Sequence, residues 1–267
     1  MSAVPAAMRR ARILEEIRDR GAATIAELAR EHAVSSMTAH RDLGQLAREG
    51  LVVRVRGGAR ALEARAPHPT AWEARIAHAP EAKAAIAARA APLVEDGATI
   101  FLDASSTAHA LALAIMAAPP LELTLVTNSP FIAADIRAET VHLVACPGEL
   151  DQQTRALTGR WTVDFIRRLN FDVAFISGAG ITLEAGLTTS RSPIADVVNA
   201  ARGQAGRTVG LVDATKFGRA ALVTIARAQD LDGVIADAGL PADVAAAYRD
   251  AGVPLEVAGG RTPTAAG

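Results

Sequence analysis

Over the first sixty residues the apolar positions recur at helical spacing. Ile13, Leu14 and Ile17 lie three or four apart, and Gly21 follows as a stop signal. Thr24 and Glu27 then have the spacing of a capping box, in which each side chain satisfies the other's backbone donor. Leu28 and Ala29 carry that second helix to about His32. Ser35 is placed to cap a third. At about 100° per residue, Ala39, Leu43 and Leu46 fall on one face, and Met37, Arg41 and Arg48 on the opposite one, flanked by His40 and Gln45. The first face can pack on a small core; the second suits the major groove of DNA. After Gly50, the apolar-basic runs 51–56 and 59–62 flank Gly57 and Gly58 and predict a two-residue hairpin with Arg54, Arg56 and Arg60 on it. Residues 1–62 are thus expected to form a winged helix-turn-helix. Its expected DNA-contacting residues are Ser35, Ser36, Met37, Thr38, His40, Arg41, Gln45, Arg48, Arg54 and Arg56.

Residues 63–77, with Pro67, Pro69 and scattered charge, are expected to be an interdomain linker, with Trp72 as an anchor on one domain. Beyond them the pattern alternates. Apolar strand-like runs fall at 98–103, 123–127, 142–146, 173–177, 208–212 and 233–236. Helical patterns fall at 79–94, 106–118, 130–138, 159–169, 192–204 and 241–251. Strands that lack polar alternation and are separated by helices predict a mostly parallel sheet covered on both faces, over residues 78–258. The last residues, 259–267, are expected to be a disordered tail.

In such sheets ligands sit beyond the carboxyl ends of the strands, and the polar residues gather there. The first strand runs into Asp103, Ser105, Ser106 and Thr107 at a helix start, where hydroxyls and free N–H groups favour an anion. The second runs into Thr127, Asn128 and Ser129. Gly178 lies in the loop from Ser177 to Gly180, and a further loop carries Asp213 and the cation Lys216. Each loop alone is no more than ordinary helix-capping chemistry; their recurrence at corresponding strand ends points to a site.

Charge adds to this picture. Residues 1–60 hold 11 Arg and 7 acidic residues, a net +4, whereas the remainder holds 17 basic and 22 acidic residues, a net −5. A basic head on an acidic body suits a protein whose head alone meets phosphate. The single cysteine, Cys146, excludes an internal disulfide and reads as a small core residue. No long uncharged apolar stretch predicts a membrane span and residues 1–10 lack a signal-peptide core, so the cytoplasm is expected. The six histidines show no metal-ligand spacing, and neither a metal nor a cofactor is expected.

Arg9 and Arg10, residues 25–29, Val34, Ser35, Thr38, residues 41–43, Leu46, Gly50 and residues 56–59 together resemble the DeoR family of bacterial transcriptional regulators, over about fifty residues without a gap. Ala39 and His40 depart from the Ile-Arg usual in that family. The body resembles the family's carboxyl-terminal sensor domain from about residue 80 to 237. The matching positions are Asp103, Ser105, Ser106, Thr107, Thr127, Asn128, Ser129, Asp213, Lys216, Phe217 and Gly218, with Gly159, Gly186 and Asp232 also fitting. Cys146, Pro147 and Gly148 stand where relatives tend to show paired glycines. The resemblance implies a Rossmann-like fold shared with ribose-5-phosphate isomerase and glucosamine-6-phosphate deaminase, and a phosphorylated sugar as effector. The expected partners are double-stranded operator DNA, that effector and further copies of the chain, as a dimer or tetramer, because helix-turn-helix proteins gain site length by two-fold symmetry.

Two functions compete on these grounds. One is a sugar-phosphate-responsive regulator, usually a repressor of carbohydrate-metabolism genes. The other is a DNA-tethered sugar-phosphate isomerase or deaminase, with Asp103 or Asp213 as base and Lys216 stabilising an oxyanion. The sequence offers no acid/base set beyond these three, which favours the regulator and no enzymatic activity.

Overall fold

The computed structural model describes residues 6–20, 22–49, 51–55, 57–61, 72–118 and 121–259 of the chain. The chain divides into two compact units, at residues 1–68 and 69–267.

The first unit runs α1 (Ala6–Arg20), β1 (Ala22–Thr24), α2 (Ile25–Glu31), α3 (Ser36–Arg48), β2 (Val52–Val55) and β3 (Gly58–Ala61). Its core is small: Ile13, Ile17, Leu28, Ala39, Leu43, Leu46, Val52 and Ala59 are buried together. The capping box forms, with the Glu27 N–H donating to Thr24 Oγ1 at 3.2 Å and the Thr24 N–H to Glu27 Oε2 at 2.8 Å. The wing differs from the expected hairpin. Val55 pairs with Gly58, so Gly58 is a strand residue. The reason is a third strand: β1 pairs with β3, and a Cβ at Gly58 would lie 2.3 Å from the Ala23 carbonyl oxygen. Only Gly57, with φ at +85°, is there for the turn itself. Gly21, Gly50, Arg56, Leu62, residues 63–71 of the expected linker and residues 260–267 of the expected tail lie outside the described residues.

The second unit opens with α4 (Trp72–Ala77) and α5 (Pro80–Ala90), then β4 (Thr99–Leu102), α6 (Ser106–Ala117), β5 (Leu123–Thr127), α7 (Pro130–Asp135) and β6 (Val141–Ala145). A small hairpin, β7 (Glu149–Leu150) and β8 (Leu157–Thr158), leads to α8 (Arg160–Ile166) and β9 (Phe171–Ile176). Next come β10 (Gly180–Thr182), β11 (Gly186–Thr189), α9 (Ser192–Arg202), β12 (Ala205–Leu211) and β13 (Val223–Ala226), and finally β14 (Gly233–Asp237), α10 (Ala242–Asp250) and β15 (Leu255–Ala258). The short strands of the hairpin and of the β10-β11-β13 sheet, and the edge strand β15, are additions to the elements expected from periodicity.

The main sheet has seven strands in the order β15-β14-β12-β9-β4-β5-β6, all parallel. Side chains of neighbouring residues feed opposite cores. Ile100 and Leu102 face one with Val173 and Phe175, while Phe101 faces the other with Ala174 and Ile176. That double burial is why the strands lack polar alternation. The winding reverses in mid-sheet. From β4 the chain proceeds outward to β5 and β6, and from β9 outward the other way to β12, β14 and β15. The pair β4 and β9 is therefore the switch point of the sheet, the place where open α/β sheets leave a crevice beyond the strand ends.

The expected linker 63–77 is too long. Its last six residues form α4, and Trp72 is buried, its ring stacked on Phe131 at 4.5 Å and edge-on to His109 at 5.2 Å. Proline and scattered charge upstream suggest a spacer, whereas Trp72 and Arg75 dock this short helix.

Candidate functional site

In the first unit the capping that the sequence anticipates is in place. The Thr38 N–H donates to Ser35 Oγ at 3.2 Å, and the two hydroxyls are 2.9 Å apart. The face opposite Ala39, Leu43 and Leu46 is open: Ser36, Met37, His40, Arg41 and Arg48 are exposed, and Thr38 and Gln45 half-buried. Arg48 donates to Gln45 Oε1 at 2.7 Å and Gln45 to Glu49 Oε1 at 2.6 Å, a chain of side chains along one edge of α3. From the wing, the Arg54 guanidinium reaches the His40 carbonyl at 3.4 Å, tying strand to helix. Arg56 lies outside the described residues. Periodicity missed one participant. Asp42 is buried on the inner face of α3 and accepts from Arg9 Nε at 2.7 Å, with Arg10 at 3.8 Å. Arg9 and Arg10 thus join α1 to α3. An acid at the same three- and four-residue spacing as Ala39 and Leu46 was the available signal.

In the second unit the polar loops converge at the carboxyl ends of the sheet. Asp103 extends β4 and is almost wholly buried. Its carboxylate accepts from the Ser177 N–H at 2.8 Å and the Ser105 N–H at 3.1 Å, so it bridges the two strands of the switch point. Ser177 Oγ donates to the Leu211 carbonyl at 2.7 Å and receives Lys216 Nζ at 3.0 Å. Thr127 Oγ1 donates to the Leu102 carbonyl and accepts from the Ser129 N–H. Asn128 Nδ2 donates to the Leu157 carbonyl at 3.0 Å, which draws the β7–β8 hairpin onto the site. Ser105, Ser129 and Asp213 each cap a helix start, accepting from Ala108, Ile132 and Thr215. Gly178 is glycine for packing: a Cβ there would meet the Thr188 carbonyl oxygen at 2.6 Å and Leu187 Cδ1 at 2.7 Å.

Other polar atoms are left over. Thr107 Oγ1, Asn128 Oδ1 and Asp213 Oδ2 are buried without a hydrogen-bond partner, as are Nε of Arg75 and of Arg191. Buried polar groups are rarely left so, because each costs about 1–3 kcal/mol. Asp213 Oδ2 has Lys216 Nζ at 3.5 Å, an ion pair without an aligned hydrogen bond.

The electrostatics agree. Burial pushes Asp103 above the usual carboxylate range, against the pull of Ser105, the Ser177 N–H and Lys216. Asp213 goes the other way: burial raises it, but Lys216, Thr215, Lys83 and His78 outweigh burial and hold it low. Lys83 is buried, donates to the His78 carbonyl and is pushed down by burial, against the attraction of Asp213. Arg75 is likewise pushed down by burial, with Asp103 and Asp151 opposing. His78 Nε2 lies 3.4 Å from Thr215 Oγ1. Three cations, Arg75, Lys83 and Lys216, thus meet Asp103 and Asp213 among buried groups, with the Asp237 carboxylate on the Ala214 N–H beside them. Nearby, Arg191 pairs with Asp151 in the hairpin. Arg75, His78, Lys83 and Ser177 were not among the expected site residues. The first three precede β4, where the reading of strand ends does not look.

Two depressions of about 300 and 270 Å³ lie at the opposite, amino-terminal edge of the sheet, where Leu93 and Arg207 line both. They hold none of the site residues, and we place the site by chemistry rather than by hollow. Among the described residues no cluster of His, Cys, Asp or Glu is arranged to hold a metal, and no helix is long and apolar enough to cross a membrane.

A DeoR-like helix-turn-helix domain is matched over residues 9–65 and a DeoR C terminal sensor domain over residues 78–238. The glycerol-3-phosphate regulon repressor of Escherichia coli (strain K12) is 32% identical, over 87% of this chain and 91% of that protein. The transcriptional repressor AccR of Agrobacterium fabrum is 32% identical, over 86% and 89%. The HTH-type transcriptional regulator YgbI of Escherichia coli (strain K12) is 34% identical, over 87% and 90%. Among solved structures, ribose 5-phosphate isomerase A from Methanocaldococcus jannaschii is similar at 19% identity and a TM-score of 0.39, over 52% of this chain and 54% of that one.

Proposed function

The chain belongs to the DeoR family of transcriptional regulators, and from that premise we propose that it is a repressor whose operator binding is governed by a phosphorylated sugar held at the switch point of the second unit. The observation that carries this reading is that Thr107 Oγ1 and Asn128 Oδ1 are buried without a hydrogen-bond partner at the strand ends, where Asp213 also meets Lys216 and Lys83. Hydroxyl and carboxylate oxygens suit sugar hydroxyls, and the cations suit a phosphate. The start of α6, a helix of 12 residues, adds N–H groups that favour the same anion. Two relatives, the glycerol-3-phosphate regulon repressor and the repressor AccR, support repression.

Operator contact falls to the exposed face of α3 through Ser36, Met37, Thr38, His40, Arg41, Gln45 and Arg48, with Ser35 as cap and Arg54 from the wing. Arg56 joins them on sequence grounds alone. The protein works in the cytoplasm as an oligomer that pairs two heads. It is not an enzyme: Asp103 is held by two backbone N–H groups and Asp213 by Thr215, so each carboxylate has a framework role. The test has two parts. Thermal shift with a panel of phosphorylated sugars should single out one ligand, and selection from random DNA should yield a site of two-fold symmetry. Turnover of any panel member at an enzyme-like rate would replace the regulator with the isomerase or deaminase reading.

A further inference from the structure

The helix α4 is anomalous. Six residues are too few for a stable helix by themselves. Its Glu73, Ala74, Ile76 and Ala77 are exposed, so only two side chains hold it. Trp72 sits on Phe131, the second residue of α7, and on His109, in the first turn of α6. These two helices follow directly on the Thr127–Ser129 and Asp103–Thr107 loops of the site. Arg75 is the other anchor. It donates to the Thr154 carbonyl in the hairpin loop, and its guanidinium lies 5.3 Å from the Trp72 ring centre. Yet its Nε is buried without a partner, and no described carboxylate lies within ion-pair distance of it. Asp103 and Asp151 face it from further away. A guanidinium that is desolvated and not directly paired is costly unless an anion comes to it. Only ten residues separate α4 from the last strand of the first unit, Ala61 to Trp72.

We propose that Arg75 is a ligand-binding residue of the sensor and that α4 is the element through which occupancy reaches the interdomain segment. The phosphate of the effector takes the free donors of Arg75, together with Lys216. This rests on the reading of the strand-end crevice as the effector site. Binding fixes α4 by the one anchor that is unsatisfied without ligand, so occupancy is felt at the start of the second unit. A ligand shifts an equilibrium only through contacts that differ between its states, and Arg75 supplies such a contact on the segment where it matters.

The test uses the full chain. It has two tryptophans, and Trp161 is 71% exposed, so Trp161→Phe leaves Trp72 as the sole reporter of α4. Inorganic phosphate is the probe, titrated by calorimetry and by Trp72 emission. Phosphate should bind saturably and change the emission over the same concentration range. Arg75→Gln in that background should weaken phosphate binding about tenfold or more, and Lys216→Ala should do the same. Arg75→Lys keeps the charge but not the planar fork, and should fall between the wild-type residue and Arg75→Gln. Should Arg75→Gln shift Trp72 emission to the red without phosphate, α4 has undocked, and Arg75→Lys becomes the deciding variant. Weakening by Lys216→Ala but by neither Arg75 variant would overturn the proposal and leave the effector site standing. Calorimetric binding without any Trp72 response would also overturn it, since α4 would not sense the anion. No phosphate binding at millimolar concentration, or binding indifferent to Lys216→Ala, would remove the effector site itself and the proposal with it.

Discussion

The two units expose their chemistry in opposite ways. On the head, the polar residues offered to a partner lie on the outside of one helix, and the inside of that helix is the core. In the sensor, the polar residues are inside, at the ends of strands drawn from across the chain, and some of their atoms have no partner. A surface that reads DNA can be built from side chains that contribute little to folding. A buried site cannot, because each of its groups is also part of the framework. The head should therefore separate stability from binding by helix face, and the sensor should separate them atom by atom.

The largest effects test the head. Leu43→Ala, at a fully buried position, should cost about 3 kcal/mol in chemical denaturation of the head. Asp42→Ala should cost a similar ~3 kcal/mol, because it removes the buried carboxylate that joins α1 to α3. Arg41→Ala, one position away and exposed, should change stability by less than about 0.5 kcal/mol. The same variant should reduce the slope of log affinity against log salt by about one for operator DNA. Equal denaturation midpoints for Leu43→Ala and Arg41→Ala would erase the division of α3 into two faces.

Much of this division was legible in the sequence, and the reasons are local. One helix period places Ala39, Leu43 and Leu46 inward and Arg41 outward, and the cap at Ser35 fixes where the helix begins. Strand ends were legible for the same reason: an apolar run that stops at Asp103 or Thr127 announces its own boundary. What could not be read depends on tertiary approach. Gly58 looks like a turn residue until β1 is seen to pass against it. Arg75 and Lys83 stand before the first strand of the sheet, and only the fold returns them to its carboxyl edge. Gly178 also carries a tertiary constraint, since a side chain there would run into Leu187 and Thr188.

Smaller effects sharpen the sensor half. Thr107→Val replaces an unpartnered buried hydroxyl by a methyl of the same shape, so the melting temperature should be unchanged or slightly higher. Ligand affinity should nevertheless fall by about fivefold, the worth of one neutral hydrogen bond of about 1 kcal/mol. A loss of stability in Thr107→Val would mean that the hydroxyl is satisfied in the free protein. The smallest effect is one of pH. Asp213 is held below its unfolded value, so it adds stability above that value, near 4, which is lost as pH falls through the lower folded value. Asp103 is held above its unfolded value, so its contribution is complete below about 4 and is lost as pH rises through the folded value. Stability of the protein relative to Asp213→Asn should therefore decline on acidification below about pH 4, while stability relative to Asp103→Asn should rise as the pH is lowered towards 4. Denaturation curves across pH 3 to 7 for the three proteins would check the opposite slopes, and slopes of one sign would refute the assignment.

The central claim is that a site in the sensor governs the head. Its most direct measurement is an operator titration by fluorescence anisotropy, with and without the phosphosugar that best stabilises the protein, for the wild type and for Lys216→Ala. The ligand should weaken operator binding by the wild type. Lys216→Ala should bind operator like the wild type when ligand is absent and should stay bound at ligand concentrations that release the wild type. Its response should move to at least about tenfold higher concentration, the cost of one charged hydrogen bond. Release of both proteins over the same range of ligand would contradict the account.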